Sequence, residues 1–548
     1  MGESKPEGTS APARFGRRAL LTAGGAGALA LLLPVRAGNR RSLFSLADSV
    51  SRASTRVRFP TRLRIPKVLT GPDIHIPIKE ARVQVLPGRK TKMWTYDGTF
   101  PGPTIRRPSG SPTRVTFHHG LPRKAGELTV HLHGGHNQSR FDGQPGGLTA
   151  SHKLSFYCKI PQDLSAKASG NDLLIGPGHS KTYVYDLIED GAPERAAFQW
   201  YHDHRLDHTG RNVWMGLAGM FILEDDFEAT QRLSFPSGSE DIPLLIADRS
   251  LNDRHQLTNP FKQHLRPPND GVKGKYMLVN GVWRPHANVA ARRYRLRLLN
   301  ASNFRAYNFA VSDGVPMVQI ATESGLMPEA VKRSAVLLAP AERAEVIVDF
   351  TGFAGKSVLL RSVKRTDGGH APGTTPFVGP LMQFRVGAAE PDSSSMPNDG
   401  DPLRPLPGWT SSLPPGLTPN PNKTWTISIG GGSLSPTWLI NGKTFNLTRV
   451  EHQATLGTTE IWKIHNKTSM AHVFHIHSTD WYLISRNGSP PPPWEDCLKE
   501  SFFMKPNETI YVAGHFSDSF ATGKYVVHCH MLDHEDHGLM SQFEIVSP

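Results

Sequence analysis

The chain has 548 residues, too many for one hydrophobic core, so two to four domains are expected. Its formal charge of +14 first suggests a polyanionic partner, but nine of those charges lie in residues 1–66, where 12 Lys and Arg stand against Glu3, Glu7 and Asp48. The remainder carries only about +5, an ordinary surface, so no nucleic-acid partner is expected.

Arg17-Arg18 precede an apolar stretch from Ala19 to Leu33, closed by Pro34 and followed by Val35-Arg36-Ala37. That stretch is too short to span a bilayer and carries the marks of a signal peptide of the twin-arginine kind over residues 1–37. The expectation is an exported protein, secreted, periplasmic or at the cell surface. No later stretch is long and apolar enough for stable membrane insertion. Residues 38–58 are basic and Ser-rich and read as an arm with little order.

Short apolar runs broken by turns then follow. In residues 59–228 the clearer predicted strands are Ala81–Leu86, Arg114–His118, Lys181–Leu187 and Leu217–Leu223, with turn chemistry at Tyr96-Asp97-Gly98 and Phe100-Pro101-Gly102-Pro103. Residues 229–387 form a second β-rich block, with strands at Tyr294–Leu299, Val336–Leu338, Ala344–Phe350 and Ser357–Arg361. Residues 388–422 are rich in Pro, Ser, Asp and Gly and have no periodicity, which predicts an irregular linker. A third β block covers 423–548. Regularly spaced short strands predict an all-β chain of three sandwich or barrel domains, with few and short helices. A monomer is the expected state.

Only three cysteines occur, Cys158, Cys497 and Cys529, too few for a disulfide scaffold in an exported chain of this size. Cys158 and Cys497 form either a disulfide between the first and third blocks or two buried thiols. Cys529 is flanked by histidines. The 25 histidines cluster at His131-Leu132-His133, His202-Asp203-His204, His472 with His475-Ile476-His477, and His528-Cys529-His530 followed by His534.

Alternation along a strand gives these spacings a consequence. Residues i and i+2 share a face and i+1 takes the other. His528 and His530 therefore point one way and Cys529 the opposite way, so one tripeptide can serve two sites. His475 and His477 share a face, and His472 has the parity of Cys529. His534 can return to the Cys side through a loop. His472, Cys529 and His534 then make one mononuclear site, a thiolate with two imidazoles, which suits blue copper. His131, His133, His202, His204, His475, His477, His528 and His530 remain as four His-x-His pairs, enough for three metal ions. Zinc favours closed four-ligand sites richer in cysteine and does not call for eight histidines.

Over residues 59–548 these motifs resemble the multicopper oxidases, closest to the bacterial spore-coat laccase, bilirubin oxidase and phenoxazinone synthase branch. Tyr96-Asp97-Gly98-Thr99-Phe100-Pro101-Gly102-Pro103-Thr104, Asn300-Ala301-Ser302-Asn303 and His534-Glu535-Asp536 carry the likeness to that branch. The resemblance implies three cupredoxin-like Greek-key domains and four copper ions. It assigns His472, Cys529 and His534 to the type 1 copper, His131 and His475 to the type 2 copper, and His133, His202, His204, His477, His528 and His530 to the type 3 pair. It places the cluster between the first and third blocks. It also implies one-electron oxidation of a small aromatic reductant coupled to four-electron reduction of dioxygen to water.

Under this resemblance the axial position beside the type 1 site falls on Leu539, which cannot coordinate. Met540 directly follows it and stays open as the alternative. Asp142, 11 residues after His131, and Glu535, next to His534, are the candidate proton carriers, each with a structural hydrogen-bond role as its alternative. Electrons are expected to enter near a partly exposed His534 or His472 and to cross through Cys529 to His528 and His530. Asp496 lies on a Pro-rich loop that could rim the substrate site or simply be solvated. His118, His119, His136 and His537 fit no ligand spacing and read as ordinary polar residues. The competing enzyme reading is a metallo-oxidase acting on Cu(I) or Fe(II), which the scattered 13 Met disfavour. A copper-free structural relative and a two-domain nitrite reductase are disfavoured by the intact histidine set and the three blocks.

Overall fold

The computed structural model describes residues 57–146, 173–262, 271–365, 375–431 and 436–548. The leader and arm through residue 56 lie outside these, as does Cys158. Strands dominate, and the α-helices among the described residues are short: Thr209–Met215, Phe227–Thr230 and Leu532–Asp536.

The strands pair into sheets that stack as three sandwiches. The first has a four-stranded sheet containing Asp73–Val83 and Thr113–His119, facing a five-stranded sheet that contains Val130–His133, Ala197–Asp203 and Ala218–Glu224. Ile76, Ile78, Tyr96, Val115, Phe117, Leu132 and Phe221 fill the space between them. The second joins a seven-stranded and a six-stranded sheet over Leu296, Leu298, Tyr307, Val346, Leu360 and Phe384. The third joins a six-stranded and a five-stranded sheet over Trp425, Trp462, Trp481, Phe474, Val512 and Phe543. Each fully buried Val, Leu, Ile or Phe contributes roughly 1.5–3 kcal/mol, so each sandwich has an apolar core of its own.

Alternation explains the strand that looks least like a β-strand in sequence. In Arg293–Asn300, Tyr294, Leu296 and Leu298 enter the core, while Arg295 and Arg297 turn to the other face. There Arg297 bonds Asp241 and Glu345, and Arg295 bonds Glu345 and Glu228. Buried cations are tolerated because each meets carboxylates at hydrogen-bond distance.

Two details depart from the sequence expectation. The strand anticipated at Ala81–Leu86 runs instead from Asp73 to Val83. Gln84 closes a turn just beyond it, donating to the carbonyls of Leu86 and Gly88. Thr61–Arg62 pairs in parallel with Pro285–His286, so the start of the first block extends the middle sandwich. The stretch 388–422 carries one short 3-10 turn, Gly408–Ser412, and touches the middle sandwich through the Glu329–Pro402 bridge.

Candidate metal centre

The ligand-bearing strands lie beside one another in each of the two flanking sandwiches. In the first, Val130–His133 runs antiparallel to Ala197–Asp203, with His131 opposite His202 and His133 opposite Trp200. In the third, His472–Ile476 runs antiparallel to Gly523–Cys529, with His475 opposite His528 and Phe474 opposite Cys529. The two sets interleave across the junction: His131 stacks on His477 at 4.0 Å between ring centroids, and His133 on His475 at 3.8 Å.

The eight paired imidazoles form one buried cluster. The candidate ligand atoms of His133, His202 and His530 lie within 4.8 Å of one another, as do those of His204, His477 and His528, and those of His131, His475 and His477. His204 Nε2 and His477 Nε2 each lie 3.2 Å from His528 Nε2.

The outer nitrogens are held from behind. His131 donates to the Asp142 carbonyl, His202 to the Asp203 carbonyl at 2.9 Å, and His475 to the Glu500 carbonyl at 2.9 Å. His477 Nδ1 donates to Asp142 Oδ2 at 2.7 Å, and His528 Nδ1 lies 3.1 Å from Glu535 Oε2. His133 is turned over: its Nε2 meets Glu500 Oε1 at 2.9 Å, leaving Nδ1 facing inward. These partners fix the tautomer and so the direction of each inner lone pair.

The inner atoms have no such partners. His131 Nε2, His133 Nδ1, His202 Nε2, His475 Nε2 and His530 Nε2 are buried without a hydrogen-bond partner among the described residues. Each orphan of this kind costs about 1–3 kcal/mol, which a bound cation offsets by taking the lone pair. Burial, reinforced by neighbouring imidazoles, holds His131, His133, His475, His477 and His530 well below the ordinary histidine value. His202 falls to about 3 and His204 to about 4, burial again first. Neutral rings with converging lone pairs fit metal ions and fit little else.

On the other face of the tripeptide, Cys529 Sγ lies 3.5 Å from His472 Nδ1 and 3.6 Å from His534 Nδ1, and the two nitrogens are 3.2 Å apart. The point equidistant from these three atoms is about 2 Å from each, the length of a transition-metal–imidazole bond. Burial pushes the Cys529 thiol up to about 12, so the thiolate form needs a cation beside it. His534 reaches the site from the short helix Leu532–Asp536 rather than from a plain loop.

Register decides which of Leu539 and Met540 lies on the Cys529 side. His528 stands opposite Met540 on the adjacent strand, and cross-strand partners share a face. Met540 therefore packs on the His528 side, with Leu206, Phe445 and Val526. Leu539 joins the core that contains Cys529, and its carbonyl accepts the Cys529 N–H at 3.0 Å.

One expectation is corrected. Neither His472 nor His534 is partly exposed; they are 0% and 1% accessible. Trp438 lies against both rings, at 5.0 and 4.6 Å, and Phe304 from the middle block covers His534 at 5.6 Å. Aromatic packing across the junction buries a ring that spacing alone left open.

Asp142 sits against two cluster histidines, and burial pushes its carboxyl well above the usual range. Burial would also raise Glu535, but the imidazoles of His204 and His528 outweigh it and bring it down to about 2. Asp496 accepts from the Tyr482 hydroxyl at 2.8 Å, while its neighbour Trp494 lies against Arg333 at 4.0 Å on the wall of a cavity of about 230 Å³. Cys497 is a free buried thiol. Glu500 was not anticipated. It holds His133 and also bonds Arg343 from the middle sandwich, and no local pattern around it signals that role.

Three cupredoxin-like sandwiches, a thiolate–imidazole site and an eight-imidazole cluster joined by one tripeptide define a copper oxidoreductase. Multicopper oxidase family profiles match residues 77–157 and 416–548. A laccase of Bacillus subtilis is 31% identical over 84% of this chain and 91% of its own length. A bilirubin oxidase of Albifimbria verrucaria is 30% identical over 88% of this chain and 78% of its own. The solved structure of a laccase from Pediococcus acidilactici superposes with a TM-score of 0.70 at 29% identity, covering 88% of this chain and 93% of that one. The chain belongs to the multicopper oxidase family and is laccase-like, an oxidoreductase with dioxygen as acceptor.

Proposed function

We propose that this protein is an exported four-copper oxidase that takes electrons singly from phenolic, aminophenolic or related aromatic reductants and delivers them to dioxygen, forming water. The observation that carries the reading is the convergence of four His-x-His pairs from two sandwiches on one buried point, with Cys529 facing away from it. His472, Cys529 and His534 would hold one copper and the eight paired histidines three. Copper bound there supplies one-electron oxidation at the first site and the four-electron reduction of dioxygen at the second.

The chain's own part follows from its geometry. The tripeptide His528-Cys529-His530 is a continuous covalent path between the two sites, so the reductant and dioxygen never need to meet. Carbonyls and carboxylates behind each imidazole hold its inner nitrogen in place. Asp142, whose carboxyl burial pushes well above the usual range and which accepts from His477 Nδ1, is placed to give protons to the cluster. Glu535, which the imidazoles of His204 and His528 bring down to about 2, lies 3.1 Å from the outer nitrogen of His528 and faces it with a negative charge. Leu539 offers no donor atom beside Cys529, so copper held by His472, Cys529 and His534 would gain no further ligand from it, which would favour a high potential and hence a wide range of reductants. Arg17-Arg18 and the apolar run behind them support export in the folded state, and the working protein is read as a monomer.

The test is oxygen uptake by copper-loaded protein against a panel of phenols, aminophenols, tetrapyrroles, Cu(I) and Fe(II). Faster turnover on the metal ions than on every aromatic would overturn the substrate class. Cys529→Ser should abolish the blue absorption and substrate oxidation while the fold remains; retained blue absorption would refute the site assignment.

A further inference from the structure

Just beyond His133 the chain carries a buried group that none of these roles uses. His136 is 3% exposed and lies between two carboxylates, with Nδ1 3.0 Å from Asp518 Oδ2 and Nε2 3.8 Å from Asp480 Oδ2. Glu189, from the hairpin Ile188–Pro193, adds negative charge toward the ring, and the Glu194 carboxyl, which burial lifts to about 8, stands close by. Asp518 is fixed by the backbone N–H of exposed Asp190 at 2.7 Å. Asp480 accepts from Ser324 Oγ at 2.5 Å, and the same hydroxyl lies 3.5 Å from Glu500. Burial works against charge on His136, but Asp480 and Asp518 outweigh it and hold the ring well above the ordinary histidine value. The cluster histidines are shifted the opposite way.

A cavity of about 10 Å³ connects the two environments, lined by His131, His475 and His477 together with His136, Asp480 and Glu500. That is room for about one water. Such a water would have polar partners at both ends.

We propose that His136 is a proton donor to the dioxygen-reducing cluster, acting through this cavity, with Asp518 orienting the ring and Asp480 reloading it. The inference rests on reading the eight-imidazole cluster as the place where dioxygen is reduced. Each dioxygen needs four electrons, supplied by the reductant, and four protons to become two waters. In one delivery the Nε2–H bond of the imidazolium breaks and its proton passes to the cavity water, which hands a proton to the oxygen being reduced. The ring is left neutral, with its Nδ1–H on Asp518. A solvent proton carried by Asp480 re-forms the Nε2–H bond. Asp480 suits that role because its side chain is 11% exposed, against 3% for His136 and 5% for Asp518.

The test compares copper-loaded wild type with His136→Gln, which keeps a donor for Asp518 but has no proton to release. Each is fully reduced without oxygen, then mixed with dioxygen in H2O and in D2O. The expected result is unchanged reduction by the aromatic substrate, an oxygen step slowed at least about tenfold and a larger solvent isotope effect. In the fully reduced wild type, 15N NMR should show His136 with both ring N–H bonds at pH 7. Should His136→Gln lose copper, Asp480→Asn serves instead, with the same slowing expected. An unchanged oxygen step in these variants, or a neutral His136 ring, overturns the proposal. If reduced wild type consumes no dioxygen at all, the oxidase reading itself fails, and the relay falls with it.

Discussion

Glu500 ties the three sandwiches together, and replacing it by Gln tests that reading most directly. Its carboxylate, on the third sandwich, bonds His133 of the first and Arg343 of the second, and both partners are buried. Gln is nearly isosteric and keeps an acceptor, so packing is preserved and the change is one of charge. The Arg343 guanidinium then stays buried without its carboxylate, with only the carbonyls of Phe198, Ala341 and Glu323 to meet it. Breaking a buried pair from one side costs about 3–5 kcal/mol. Copper-free protein unfolded in guanidinium chloride and followed by tryptophan fluorescence should show a loss of that size. The double variant Glu500→Leu, Arg343→Met should lose less than Glu500→Gln alone, because it leaves no unpaired charge. Copper affinity of the cluster should fall about 10- to 100-fold in Glu500→Gln, since a neutral amide holds the His133 Nε2–H, and with it the inward Nδ1, less firmly than the carboxylate does. A stability change below about 0.5 kcal/mol, or a double variant worse than the single one, would refute the argument.

Other expectations follow from particular contacts. Gly143 has φ +78°, and an added Cβ would lie 2.4 Å from the Val130 carbonyl, so Gly143→Ala should cost at least about 2 kcal/mol in denaturant unfolding. An unchanged midpoint would mean the Asp142 turn is not pressed against the His131 strand. Leu539→Met should lower the potential of the mononuclear site in a redox titration, whereas Met540→Leu should leave it unmoved; the reverse pattern would mean the register is misassigned. Burial lifts the Glu194 carboxyl to about 8. An acid raised in the folded state binds its proton there more tightly than in the unfolded chain, so stability is full below the unfolded value and falls as pH climbs toward 8. Glu194→Gln should remove that decline, on the order of 1 kcal/mol per pH unit over this window, and parallel pH–stability curves for the two proteins would contradict it.

The legible part of the site is the part that obeys strand parity. His528 and His530 fall on one face and Cys529 on the other because successive residues of a strand alternate, and no distant partner is needed to know it. The three β blocks were likewise visible, since turn residues and short apolar runs are local signals. The sorting of imidazoles into sets, such as His133 and His202 with His530, depends on a junction between residues hundreds of positions apart. So does the burial of His534 under Phe304.

Local spacing settled the chemistry on offer: one cysteine thiol among ten candidate histidines, and the faces that the His-x-His pairs and Cys529 take along their strands. Which atoms meet depended on how the sheets dock. That packing put Leu539 rather than Met540 beside Cys529, made Glu500 a partner of His133, and closed four acids around His136. The physical reason is that alternation is a property of one strand, whereas register and docking are set by the packing of whole sheets against one another.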